Sequence, residues 1–137
     1  MRLELSDAPR ASDLAALEDE INRYNVERLN AHDFRALAVF LRDADGGMQG
    51  GVSGYTWAGF CEIRFLWVAE GVRGRGYGTR LLASAEAEAR SRGCRSVVLQ
   101  SYSFQAPDFY LKLGYAELGR AEDCPPGGAQ VYLQKRL

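Results

Sequence analysis

The ten residues Gly71 to Arg80, GVRGRGYGTR, hold four glycines and three arginines, and they stand between the apolar run FCEIRFLWV and a long stretch of helical spacing. A strand that passes through a glycine-rich loop into a helix is the most restrictive instruction in this chain. It puts a helix N-terminus at the end of a strand, where unpaired N–H groups and about half a positive charge attract anions. Glycines let the backbone approach a ligand closely. Arg73, Arg75 and Arg80 are opposed there only by Glu70, so this is the one strongly cationic segment of a chain whose formal net charge is −1. A phosphate-bearing ligand is one reading; a tight turn with solvated arginines accounts for the loop equally well. Two common phosphate loops are disfavoured by spacing. A Walker loop needs Lys where Tyr77 stands, and G-x-G-x-x-G needs glycine where Thr79 follows Gly74 and Gly76.

The elements around the loop follow from periodicity. MRLEL alternates like a short strand. From Ser12 to Asn30, Leu14, Leu17, Ile21, Tyr24 and Leu29 recur at mostly helical spacing, with Ser12 or Asp13 as the cap, and predict one bent helix or two short ones. RALAVFLR reads as a strand, DADGG as a hairpin turn, and Val52 to Trp57 as the returning strand. FCEIRFLWV extends the meander. After the loop, Leu81, Leu82, Ala85 and Ala89 form a helical stripe that Gly93 ends. SVVLQS is a short buried strand, Pro107 opens a short helix that Gly114 stops, and YAELG and QVYLQKRL are two last strands around a PPGG loop. Early strands followed by a β-α-β unit predict an α/β or α+β domain with mixed strand directions. At 137 residues, with no repeat and no long linker, the chain fits one domain, 1–137.

The near-zero net charge argues against a surface built to coat nucleic acid or an anionic membrane. The N-terminus lacks the apolar core of a signal peptide, and no run reaches the roughly 18 residues of a spanning helix, so cytoplasmic residence is expected. Cys61, Cys94 and Cys124 are odd in number and widely spaced, which signals reduced thiols rather than a disulfide framework or a zinc site. His32 is the only histidine and leaves no partner for a metal cluster or a Ser-His-Asp triad. No metal is expected.

Two blocks carry a resemblance. VRGRGYGTRLL is similar to the acyl-CoA signature R-x-x-G-x-G of the GNAT superfamily of N-acyltransferases, with Arg73, Gly76 and Gly78 on the defining positions. SFQAPDFYLKLGY resembles that superfamily's later motif, through Ala106, Tyr110, Gly114 and Tyr115. One helix and one strand separate the blocks, as the family requires. The resemblance implies a GNAT-like mixed, mostly antiparallel sheet of about six to seven strands flanked by helices, and acetyl-CoA as acyl donor. It implies that the N–H groups of Arg73, Gly74, Arg75, Gly76, Tyr77, Gly78 and Thr79 cradle the CoA pyrophosphate, and that main-chain groups of Leu66, Trp67 and Val68 pair with the pantetheine arm. Where relatives often have Asn three residues before the motif alanine this chain has Ser103, whose hydroxyl can make one bond to the cofactor arm. Tyr110, also in contact with the cofactor, matches the family's general acid; an aromatic packed in a short helix is the structural alternative.

The chemistry also asks for a base, because an amine with a pKa of about 10.4 is mostly ammonium at neutral pH. Glu62 resembles the acidic strand residue that serves several GNAT members as base. An ion pair with Arg64, two residues on, is the competing role. Tyr55, Trp57, Phe60, Trp67, Tyr102 and Phe104 line an acceptor cleft in one reading and fill a core in the other. A small polyamine or antibiotic amine, an amino acid, and a protein N-terminus or lysine all stay open as acceptors. The absence of a long recognition segment favours a small molecule over a protein; a homodimer is left open as the assembly. The expected activity is N-acetyl transfer to a primary amine by direct attack in a ternary complex, with a non-catalytic acyl-CoA sensor or interaction domain as the alternative.

Overall fold

A computed structural model describes Met1 to Leu137, which form two compact units, Met1–His32 and Asp33–Leu137. In the first, MRLEL is irregular rather than a strand, since it has no neighbouring strand to satisfy its backbone groups. One helix, α1 (Ala11–Leu29), follows without a break. Its N-cap is Arg10 and neither Ser12 nor Asp13 caps it, because both already lie inside the first turn; Asp13 instead pairs with Arg10 at 2.9 Å. Asn30 ends the helix in the left-handed region, a conformation that Asn tolerates better than most residues.

The second unit is a six-stranded sheet in the order β1-β2-β3-β4-β6-β5. The strands are β1 (Arg35–Arg42), β2 (Met48–Trp57), β3 (Phe60–Val68), β4 (Ser96–Tyr102), β5 (Ala116–Glu122) and β6 (Ala129–Arg136). All neighbours are antiparallel except β3 and β4, which are parallel and joined by α2 (Tyr77–Ser91). This is the GNAT-like arrangement, at the lower of the two expected strand numbers. β2 begins earlier than Val52, because Asp43 accepts N–H bonds from Asp45 and Gly47 and a side-chain bond from Gln49, which closes the hairpin tightly.

α2 buries the predicted stripe, Leu81, Leu82, Ala85 and Ala89, and with it Glu86. That stripe packs on Leu37, Val52, Cys61, Ile63, Val97, Leu99, Val131 and Leu133, the inward residues of five strands. The helix ends at Gly93, in agreement with the sequence: Gly93 has φ +80°, and Cys94 N–H and Gly93 N–H donate to Ala89 and Arg90 carbonyls at 3.0 and 2.9 Å, a Schellman closure. α3 (Pro107–Lys112) ends the same way at Gly114, with Tyr115 N–H on the Tyr110 carbonyl at 3.1 Å. Apart from Tyr115, the buried core is aliphatic or cysteine, and none of Tyr55, Trp57, Phe60, Trp67, Tyr102 and Phe104 belongs to it.

Candidate active site

The site begins with an irregularity in β3. Ser53 pairs with Phe65 but Gly54 pairs with Ile63, so Arg64 is an extra residue, a β-bulge. Gly54 is required opposite it, since a Cβ at that position would collide with the Glu62 carbonyl group. Beyond the bulge β3 parts from β4. Their parallel pairing covers only Phe60–Ile63 against Ser96–Leu99, so the β4-facing backbone groups from Arg64 onward have no strand partner. Backbone polar groups left open in this way invite an extended ligand to take the place of a strand.

The opening widens into a cleft of about 830 Å³. Leu66, Trp67 and Val68 of β3 line one side, the glycine loop lines a second, and Phe109 and Tyr110 of α3 close a third. Gly74 and Gly76 have φ of +72° and +79°, and nothing lies within 4 Å of where their Cβ atoms would be, so the loop both turns sharply and leaves its concave side bare. Gly76 is the N-cap of α2, and no side chain caps that end. The helix thus points uncapped N–H groups and the positive end of its dipole at the cleft. At Gly78 a Cβ would lie 3.4 Å from the Phe109 ring, at ordinary contact distance, which marks where α2 meets α3.

The expected residues divide by position. Leu66, Trp67, Val68, Arg73, Gly74, Gly76, Tyr77, Gly78, Thr79 and Tyr110 share this cleft. Arg75 is exposed and outside its lining. Arg73 donates from Nε to the Val68 carbonyl at 2.8 Å, tying the loop to the strand end, and the Arg80 guanidinium lies 5.6 Å over the Tyr77 ring. Ser103 faces β6, where its Oγ accepts the Ala129 N–H at 3.0 Å; Ser101, Gln105 and Ala106 line the cleft there instead.

The Tyr110 hydroxyl has no protein hydrogen-bond partner, and the ring is held by edge contacts with Phe109 and Tyr115, at 5.1 and 5.7 Å between centroids. Burial pushes its pKa above the ordinary phenol value, so the group stays protonated.

Glu62 lies across the sheet from this cleft. Strand alternation turns it away from its neighbours Cys61 and Ile63, which are buried in the core. It does not pair with Arg64. Its carboxylate accepts the Tyr55 hydroxyl at 2.6 Å, from the residue directly opposite on β2, and the Arg64 guanidinium lies 5.0 Å over the Tyr55 ring. Arg64 stays on the Glu62 face of the strand, with its guanidinium on the Tyr55 ring rather than on the carboxylate. Burial first, and then the Glu62 hydrogen bond, push the Tyr55 phenol up to about 12. Phe34 stacks on Tyr55 at 5.2 Å and Phe60 meets its edge, which makes an aromatic surface around the carboxylate.

One buried cluster was not foreseen, although its Tyr115 belongs to the later motif. Glu86 is 6% exposed and its two oxygens take the Tyr115 hydroxyl at 3.0 Å and Lys135 Nζ at 2.8 Å. A charge inside the apolar stripe of a helix was its only other trace in the sequence. No group of three or more acidic, His or Cys side chains is arranged to hold a metal ion.

The profile of the acetyltransferase (GNAT) family matches residues 3–115. An acetyltransferase of Agrobacterium fabrum (strain C58) is 33% identical over 137 residues, covering 100% of both chains. The Blasticidin-S acetyltransferase of Streptomyces morookaense is 36% identical over 110 residues, 80% of this chain and 81% of its own. Among solved structures, an acetyltransferase from Bacillus cereus ATCC 14579 superposes with a TM-score of 0.83 at 34% identity, covering 98% of each chain.

Proposed function

The chain belongs to the acetyltransferase (GNAT) family of acyl-CoA-dependent enzymes, and from that premise we propose that it moves an acetyl group from acetyl-CoA to the primary amine of a small molecule. The observation that carries this reading is the parting of β3 from β4, which exposes a row of backbone groups between a bare glycine loop and Tyr110. An extended, amide-bearing arm fits that row, and a pyrophosphate fits the uncapped end of α2. Acetyl-CoA supplies the activated carbonyl when bound. Arg73, Gly74, the residues Gly76 to Thr79 and Leu66 to Val68 hold it; the bond of Ser103 to β6 leaves its hydroxyl hydrogen and one lone pair for that arm.

The chain's residues then divide the proton work. Glu62 takes a proton from the ammonium, directly or through one water, so that the nitrogen lone pair is free to form the C–N bond. Main-chain N–H groups of β3 beyond the bulge face the carbonyl oxygen as charge builds on it. Tyr110 gives its proton to the sulfur as the C–S bond breaks, and solvent returns the proton balance between Tyr110 and Glu62. The split between β3 and β4 joins the two faces of the sheet, so the amine comes from the Glu62 side and the thioester from the α2 side.

A small acceptor is favoured by the aromatic surface of Phe34, Tyr55 and Phe60 around one carboxylate, and by a relative named for blasticidin S. The two buried cysteines, Cys61 and Cys94, and the exposed Cys124 are free thiols, as in a reducing cytoplasm. No helix is long and apolar enough to cross a membrane.

The test is release of CoA thiol from acetyl-CoA against small amines and against a lysine peptide. Turnover with small amines is expected. Turnover with the peptide alone would overturn the acceptor class, and no thiol release with any amine would overturn the reaction.

A further inference from the structure

We infer that Glu86, Tyr115 and Lys135 are positioning residues for Tyr110, an inference that rests on the acid role proposed above for that phenol. The starting point is that the Tyr110 hydroxyl is aimed without a hydrogen bond of its own. Its ring contacts, with Phe109 and Tyr115, and its backbone set its direction, and Tyr115 takes part in both: ring to ring at 5.7 Å and 72°, and Tyr115 N–H to the Tyr110 carbonyl at 3.1 Å. Gly114, at φ +93°, makes the turn that brings the two residues together, and its Cβ would lie 3.5 Å from the Lys135 side chain.

Tyr115 is in turn fixed from behind. It is 3% exposed and its hydroxyl donates to Glu86 Oε1 at 3.0 Å, while Lys135 Nζ donates to Glu86 Oε2 at 2.8 Å and lies 5.7 Å from the Tyr115 ring. Each carboxylate oxygen therefore has one donor, and the charge has a cation within reach. A buried ion pair gives little net stability, since desolvation offsets the attraction, but it fixes geometry. Here it locks α2, β6 and the end of α3 at one point. A plain apolar contact would fill the same space without fixing the Tyr115 ring against rotation. The buried charge thus transmits the position of two large elements to one phenol that lines the cleft.

The test is a double-mutant cycle on the full chain, with kcat for acetyl-CoA and the best amine, and CoA affinity by calorimetry. Tyr115→Phe keeps the ring and removes the anchor; kcat should fall about five- to twenty-fold with CoA affinity unchanged. In the Tyr110→Phe background the same change should add nothing, because there is no longer a proton to aim. Glu86→Ala should reproduce the loss and Glu86→Gln, which keeps an oxygen for the Tyr115 hydroxyl, should restore most of it; this pair decides the question if Tyr115→Phe does not fold. Full kcat in Tyr115→Phe or Glu86→Ala, or equal losses in both backgrounds, overturns the positioning role. Wild-type kcat in Tyr110→Phe alone would instead overturn the acid role beneath it.

Discussion

Removing one oxygen atom from Tyr110 separates packing from chemistry. Tyr110→Phe keeps the edge contacts with Phe109 and Tyr115, so the melting temperature and CoA affinity should hardly change. Turnover should fall, toward the lower end of the roughly 10² to 10⁴-fold that general acids contribute, because a thiol of pKa about 8.5 is already a fair leaving group. Single-turnover kinetics check this where chemistry limits the rate; an unchanged rate makes Tyr110 a packing residue. Glu62→Gln should impair turnover most at low pH, with the defect shrinking as rising pH deprotonates the amine unaided, and a defect equal at every pH would argue for a structural carboxylate. Tyr55 is the control. Tyr55→Phe removes the 2.6 Å bond that orients the Glu62 carboxylate, so turnover should fall in the wild-type background and not further in Glu62→Gln.

At the scale of elements, the β3 bulge and the glycine loop can be broken separately. Gly54→Ala forces a Cβ into the Glu62 backbone, where nothing flexible can give way, and should lower the melting temperature by several degrees. Gly71→Ala, with nothing within 4 Å, is expected to be near neutral by the same melting assay. The element order from β1 to β6 was legible in the sequence, because alternation, a helical stripe and glycine stops at Gly93 and Gly114 act within a few residues of themselves. The MRLEL strand and the Ser12 or Asp13 cap failed for the same reason in reverse: alternation and cap chemistry state a local preference, and no partner strand or helix boundary met it. In the cleft, the glycine spacing pointed to the loop and the family resemblance to Tyr110, and both line it. Spacing missed the bulge at Arg64, since an extra residue shows only when two strands are laid side by side. It missed Glu86 with Tyr115 and Lys135, whose meeting spans 49 positions of sequence.

For the whole molecule, CoA at 100 times its dissociation constant should add about 2.7 kcal/mol and raise the melting temperature by several degrees, and Gly76→Val should abolish that rise by filling the bare side of the loop. No shift at millimolar CoA would reject CoA as a ligand. Alkali acts in the opposite sense. Burial raises the pKa of Tyr110 and of Tyr115, the latter helped by Glu86, so each stays protonated in the fold after it has ionised in the unfolded chain. Stability is therefore full below a pH of about 10 and falls above it, by about 1.4 kcal/mol per pH unit for each phenol still protonated in the fold. Chemical denaturation at pH 9 and pH 11 checks the sign, and Tyr115→Phe should flatten the slope. The four residue pairs that join β3 to β4 also give the molecule a seam. β1, β2 and β3 on one side, and β4, β6 and β5 on the other, share few rungs, so a ligand lying along the open backbone would act as a stitch. Hydrogen exchange would record it: the amides among residues 64–68 that face β4 should exchange freely in the empty protein and slow when CoA is bound, as the donor bridges the two halves of the sheet.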